Sequence, residues 1–417
     1  MLAVVMALAM APAGPAAADP DRPNLRDQRA VLAPGPDLRR VVFVGNNWAG
    51  TADVLAPGTF ERLARIDVVP DKDERVQEIA TDPYRLAYFL AIRALIGEGH
   101  DQYVDDMYSS PDGRLLVVSR PSFADVVAIS LRTKEIVWRF QVDGVRSDHM
   151  AISPDGRHVV VSASTANVVH VLRVRDGKEV GRFPSGGSPH ENVYIDGGKR
   201  IIHASIGMVY SPLDDPALDP TKQERRFQIV DAETFEVLRT YDLRAALDEA
   251  GMEDTSTAVR PMTLSPDDQS VYFQLSFMHG FVQMDRATGK ITRVKQLPNL
   301  VPDMPREQYL LDSAHHGIAM NPDGTKICVA GTMSDYATVV DADTLRRGPL
   351  LKKADGKPYW VTPSWDGKYC YISWSGTDEV AKISYRTEKI VKTVPVGDHP
   401  QRVRNGVVRK DLVAALR

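Results

Sequence analysis

MAISPDGRHVVVS (150–162) sets two alternating apolar runs on either side of a Pro-Asp-Gly turn. Alternation with a period of two is the signature of a half-buried strand, and Pro-Asp-Gly turns a chain back on itself. The stretch therefore reads as a β-hairpin. It recurs as MYSSPDGRLLVVS (107–119), NVYIDGGKRIIHA (192–204), MTLSPDDQSVYFQ (262–274), IAMNPDGTKICVA (318–330) and VTPSWDGKYCYIS (361–373). A second unit, a polar turn followed by another alternating strand, closes each repeat, as in LRTKEIVWRFQV (131–142) and YRTEKIVKTVPV (385–396).

Successive repeats stand about 42 residues apart, the length of a four-stranded propeller blade. Six complete blades account for roughly residues 105–397. VVFVGNN (41–47) lacks a first strand, and HPQRVRNGVV (399–408) is a first strand without a blade. Pairing the two removes the open edges that an unclosed ring would expose. The chain is thus expected to be all-β, a seven-bladed β-propeller closed by its C-terminal strand on the N-terminal blade.

The xxPDGxxVxV pattern and the strands that follow it resemble the YVTN-type repeat of secreted bacterial and archaeal propellers. PVGDHPQRV (395–403) and FVGNNWAGTADVLAPGTFE (43–61) are the closest matches. The resemblance spans nearly all of residues 40–408 and implies blade construction. It implies no single chemistry, because such propellers include scaffolds, binding proteins, lactonases and lyases.

Composition narrows the classes. With 43% hydrophobic and 25% charged residues and a formal net charge of −4, the chain has no basic excess that would suggest nucleic acid. The N-terminus, MLAVVMALAMAPAGPAAADP, runs from an apolar stretch to Ala16-Ala17-Ala18 before Asp19. This pattern is that of a signal peptidase site, although the basic leader segment is missing. The expected organisation is a signal peptide (1–18), an extension (19–39), the propeller (40–408) and a short tail (409–417), in a secreted or extracytoplasmic protein. A disordered Ala/Pro leader on a cytosolic protein is the competing reading. No other stretch is apolar enough for a stable membrane span.

Long insertions at 71–103, 207–225, 244–259 and 298–313 all fall in connections that a propeller places on one face. Leu86, Phe89, Leu90 and Ile92 suggest that the first is a helical lid with one buried side. The opposite face keeps tight turns. Loops built up on one face of a rigid scaffold are the usual way to make a site, although surface loops also tolerate insertion without function.

Aligning the blades on their turns assigns two residues per blade to the channel mouth on the inserted face. The outer ring holds Asp105, Asp148, His190, Arg260, His316, Tyr359 and Gln401; the next holds Asp106, His149, Glu191, Pro261, Gly317, Trp360 and Arg402. His315 and His399 adjoin this ring, His279 and Trp48 reach it from loops, and His100 can join from the lid. Because consecutive strand residues face opposite ways, working pairs must form across blades.

Three readings fit these residues. In the first, His149, His190, Glu191, His315 and His316 perform acid–base chemistry, since imidazoles titrate near neutrality and carboxylates orient them. Arg260 and Arg402 then hold an oxyanion of the substrate, with Tyr359, Trp360, His279 and Trp48 lining its site. In the second, His190 and His316 with Asp105 or Asp148 bind a divalent metal ion, by analogy with metal-holding lactonase and lyase propellers. In the third, the polar ring only satisfies strand ends and water.

The functional expectation is an enzyme of hydrolase or lyase type acting on a small polar molecule at the mouth. The alternative is a non-catalytic propeller scaffold that binds a ligand or a protein partner there. Cys328 and Cys370 stand four and three residues after their turn glycines, on opposite faces of neighbouring blades. They either meet across the blade 6–7 interface as a disulfide or point fully apart.

Overall fold

A computed structural model describes residues 35–208, 218, 221–309 and 313–414. The expected signal peptide, most of the extension, the end of the tail and parts of the 207–225 and 298–313 insertions lie outside these residues. The described chain forms seven four-stranded antiparallel sheets, each running outward from strand A to strand D. Strand A of blade 1 is the C-terminal strand Pro400–Arg409, which pairs antiparallel with Leu38–Asn46. Thr51–Leu55 and Arg62–Asp67 complete that blade. The seven-bladed ring closed by its C-terminal strand is therefore observed.

Blade construction follows from the hairpin motif. In blade 3, strands Ser147–Ile152 and His158–Ala163 are joined by the turn at Pro154-Asp155-Gly156. Ser153 Oγ donates to Asp155 Oδ1 at 2.6 Å and accepts the His158 N–H at 3.0 Å, locking the turn. Ser110–Asp112, Ser265–Asp267 and Ser364–Asp366 repeat the contact at 2.6 Å. Gly156 has φ +69°, and a Cβ there would stand 2.4 Å from Pro111 of the preceding blade. Gly198 meets Pro154 in the same way, and Gly324 meets Pro266. The glycine thus serves both a left-handed turn and a close blade-to-blade contact.

Between blades, the apolar faces of neighbouring sheets interlock into shared cores, such as Val117 and Val126 of blade 2 with Val159 and Val161 of blade 3. Cys328 and Cys370 form a disulfide between strand B of blade 6 and strand B of blade 7, with Cα atoms 6.5 Å apart. Of the two arrangements left open by the sequence, the one that meets across the interface is realised.

The 71–103 insertion folds into helices α1 (Lys72–Ala80) and α2 (Pro83–Leu95). Asp82 caps α2 by accepting from the N–H groups of Tyr84 and Arg85. Phe89 and Ile92 are buried and Leu86 packs against the core, but Leu90 is 47% exposed. Leu90 lies a further 100° round the helix from Phe89, off the stripe that meets the blades. The 244–259 insertion carries the short helix α3 (Leu243–Glu249). Among the described residues no helix is long and apolar enough to cross a membrane.

Closure by one strand makes a direct prediction. Removing residues 400–417 leaves Leu38–Asn46 as an open edge and uncovers the buried run Val41–Val44. The truncated chain is expected to aggregate or lose its cooperative melt, as read by size-exclusion chromatography and calorimetry. A soluble monomer with an unchanged melting temperature would contradict this role for the strand.

Candidate functional site

At the start of strand A the ladder shifts register in five blades: between Ser147 and Met150, Pro189 and Asn192, Val259 and Met262, Pro358 and Val361, and Pro400 and Val403. Each shift leaves two residues without ladder partners, which is a β-bulge. Strict alternation is broken there, so Asp148 and His149, although consecutive, both line the same cavity. The expectation that neighbours must face apart fails at these bulges.

The preceding blade holds several of these strand entries. Ser119 Oγ donates to the Asp148 carbonyl at 2.8 Å, Ser162 Oγ to that of His190 at 2.9 Å, and Ser373 Oγ to that of Gln401 at 2.8 Å. Gln274 binds both the N–H and the carbonyl of Gly317. These side chains were not singled out from the sequence. Their signal is present nonetheless: each is the polar residue that ends its quoted hairpin, one position before the end of strand B.

The axial cavity has a volume of about 40 Å³. Asp105, Asp148, His149, His190, Arg260, Tyr359 and Gln401 line it from the blades, with Ile96 and Gln102 from the insertion that follows α2. Arg146, which reaches Gln102 across the cavity wall, also went unremarked in the sequence because it sits in a loop outside the aligned ring. All these polar groups except Asp148 are buried or nearly so.

His149, His190 and His316 offer ring nitrogens that all lie within 4.8 Å of one another, and Asp105, Asp148 and His149 form a second group of that size. The candidate metal ligands deduced from sequence, His190, His316, Asp105 and Asp148, are thus divided between two groups that share His149. The rings of His149 and His190 are 3.8 Å apart, and His316 stacks on Tyr359 at 4.1 Å. His149 Nδ1 lies 2.6 Å from Glu191 Oε2, an across-blade pair of the expected kind. The Nδ1 atoms of His190 and His316 are buried without a protein partner.

Below this layer the indole of Trp360 lies between two guanidiniums, Arg402 at 3.9 Å and Arg404 at 4.7 Å. Arg402 pairs with Asp105 at 3.1 Å, and Arg404 binds Asp106 bidentately at 2.8 and 2.7 Å. Arg404 was missed in the sequence, yet it stands two residues after Arg402 and so shares its strand face.

Burial dominates the electrostatics. Desolvation pushes His149, His190 and His316 well below the usual imidazole range, reinforced by Arg402 near His149 and His316 and by Arg260 near His190. It raises Glu191 to about 8 and, with the charge of Asp105 adding to it, Asp148 to about 7. The imidazoles are therefore neutral at physiological pH, the form in which they bind metal ions.

The other expected site residues lie apart from this cavity. His279 and His315 form a separate cluster, with rings 5.4 Å apart, where His279 Nε2 meets Tyr309 Oη at 3.0 Å and His315 Nε2 meets Tyr336 Oη at 3.3 Å. Trp48 is stacked between His100 and His399, 3.9 Å from each. The grouping of six histidines at one mouth thus resolves into an axial triad, a lateral pair and one histidine in an aromatic stack. Period-two register cannot distinguish these positions, because they differ by radial distance from the axis.

No family model matches the chain, so the likeness to YVTN-type repeats rests on the motifs alone. No curated protein matches it either. Among solved structures it is similar to a chain of hydrazine synthase from Kuenenia stuttgartiensis, at 18% identity and a TM-score of 0.56, covering 74% of this chain and 96% of that one. At that identity the likeness concerns the propeller fold.

The buried histidines couple stability to pH. Desolvation lowers His203 and His399 to about 3. In the unfolded chain both titrate near 6.5, so below that pH the unfolded state binds more protons. The contribution of these two histidines is complete above 6.5 and falls as the pH drops towards 3, His203 contributing up to about 1.4 kcal/mol per pH unit. Denaturant melts between pH 7 and 5 are expected to show this slope, reduced by one proton in His203→Gln; an identical slope in that variant would refute the assignment.

Proposed function

We propose that the chain is a metal-dependent enzyme that processes a small polar molecule in the axial cavity by a hydrolytic or eliminative step. The observation that carries this reading is the triad His149, His190 and His316, three buried imidazoles that offer ring nitrogens within 4.8 Å of one another. Two further features support it. Glu191 on His149 Nδ1 is the carboxylate–histidine arrangement that orients a ligand and raises its basicity. Buried imidazole nitrogens without partners, as on His190 and His316, cost stability unless something outside the protein satisfies them.

Three protein ligands leave positions open for substrate, and a divalent ion there would supply a Lewis acid to a substrate oxygen. The chain's own residues supply the rest. Arg260, anchored through Nε to Ser276 Oγ at 2.8 Å, faces the cavity and stabilises negative charge on the substrate. Asp148, a carboxylate lining the same cavity, is placed to take and return a proton. It lies 3.8 Å from His149 Nε2, close enough to act at the same centre. A volume of about 40 Å³ admits only a reacting group of a few atoms. We also read the protein as exported, which the Cys328–Cys370 bridge supports because disulfides persist in oxidising compartments.

Titration of zinc, manganese and copper ions into chelator-treated full-length protein tests the proposal. About one ion per chain is expected to bind, and a His190→Ala/His316→Ala double variant that still melts cooperatively is expected to bind none. Glu191→Gln is expected to lower affinity roughly 10- to 100-fold. With metal bound, hydrolysis across a set of small esters and lactones is expected to depend on Asp148, falling about 100-fold or more in Asp148→Asn. Folded wild-type protein that takes up no ion at micromolar concentrations would sink the metal site.

A further inference from the structure

The face without insertions carries a second cavity, and the axial reading makes no use of it. Its volume is about 650 Å³, against about 40 Å³ for the axial one. It forms where the hairpin turns converge. Pro111, Pro154, Pro266 and Pro322 contribute from four blades and Trp365 from a fifth. Tyr108, Tyr194, Leu264 and Met320 continue the apolar wall. Both size and lining are those of a small-molecule site, in which an apolar wall carries a few placed polar groups.

Two guanidiniums reach this cavity. Arg404 lines the cavity with its side chain still 17% exposed, beyond its contact with Asp106. Arg40 lies over the Trp365 ring at 5.1 Å. Two carboxylates, Asp155 and Asp268, also line the wall and are held by hydrogen bonds within and between the turns. Asp155 accepts from Ser153 Oγ and from the Arg157 N–H, and Asp268 accepts from the Asp196 N–H at 2.8 Å.

We propose that this vestibule binds an amphipathic organic anion, an aromatic or branched-chain carboxylate of small-molecule size. Its apolar body packs among the prolines and Trp365, and its charged group faces Arg404 and Arg40. The site is independent of the metal reading: one can be present without the other.

Isothermal titration of full-length protein with 2-naphthoate and with its uncharged counterpart 2-naphthalenemethanol tests this. The acid is expected to bind once per chain, at least about fivefold more tightly than the alcohol, because a charge-assisted contact to a guanidinium is lost in the alcohol. Leu264→Trp fills the cavity and is expected to weaken binding about tenfold or more, with metal content unchanged. Arg40 sits at the exposed rim, so Arg40→Glu is a second variant that leaves the core intact; it is expected to weaken the acid roughly threefold or more and leave the alcohol unaffected. Absence of saturable binding by the acid, equal affinity for the alcohol, or unchanged affinity in folded Leu264→Trp would each overturn the proposal. Loss of metal binding alone would count against the axial site and leave this one standing.

Discussion

The pairing of Leu38–Asn46 with Pro400–Arg409 joins the two ends of the chain in one sheet, and the remainder of the architecture depends on it. A ring of blades has no free inner edge only when it closes. Here the closing strand does more than complete a ladder. It carries Arg402 and Arg404 to the axis, where they meet Asp105 and Asp106 at the entry to blade 2. The circle is therefore shut twice, by backbone hydrogen bonds and by buried ion pairs. An uncompensated charge at such a place would cost several kcal/mol, which is why the two guanidiniums and two carboxylates occur together.

Closure also sets the chemistry of the hub. Seven inner strands converging on one axis leave little room for water, and the side chains there lose most of their solvation. Imidazoles respond by staying neutral and carboxylates by holding protons more tightly, so the same crowding that closes the ring sets the protonation of the hub. The bulges at strand A are the local device that brings two residues per blade into this space. Seryl and glutaminyl groups from the preceding blade hold the bulged backbone in place.

The two mouths of the channel diverge for a reason visible in the repeats. The inserted face is built by loops that differ from blade to blade, so its residues are individually chosen. The opposite face is built by one turn repeated with variation, so it presents proline, tyrosine and tryptophan again and again. One mouth is narrow and polar, the other broad and apolar, and the Arg402–Trp360–Arg404 stack stands between them.

Much of the fold was legible in the sequence because its governing pattern is local and repeated: alternation, a Ser-Pro-Asp-Gly turn and a constant spacing name the blade. Register against that turn located Asp105, Asp148, His149, His190, Arg260, Tyr359 and Gln401 at the axis, and the cavity gathers these residues. Other features were beyond its reach. His149 belongs with His190 and His316, while His315, adjacent to His316, belongs with His279; adjacent positions in sequence diverge because a bulge and the curvature of the ring set their directions. Trp48, Leu90 and Arg146 were likewise placed by packing of the insertions, which follow no repeat. The sequence by itself determined the number of blades, the manner of closure and the residues that approach the axis, because hydrogen-bond period and turn chemistry act between near neighbours. Which of those residues touch, which lose their solvent and which cavities remain was decided only by the closed ring, because those depend on distances between blades far apart along the chain.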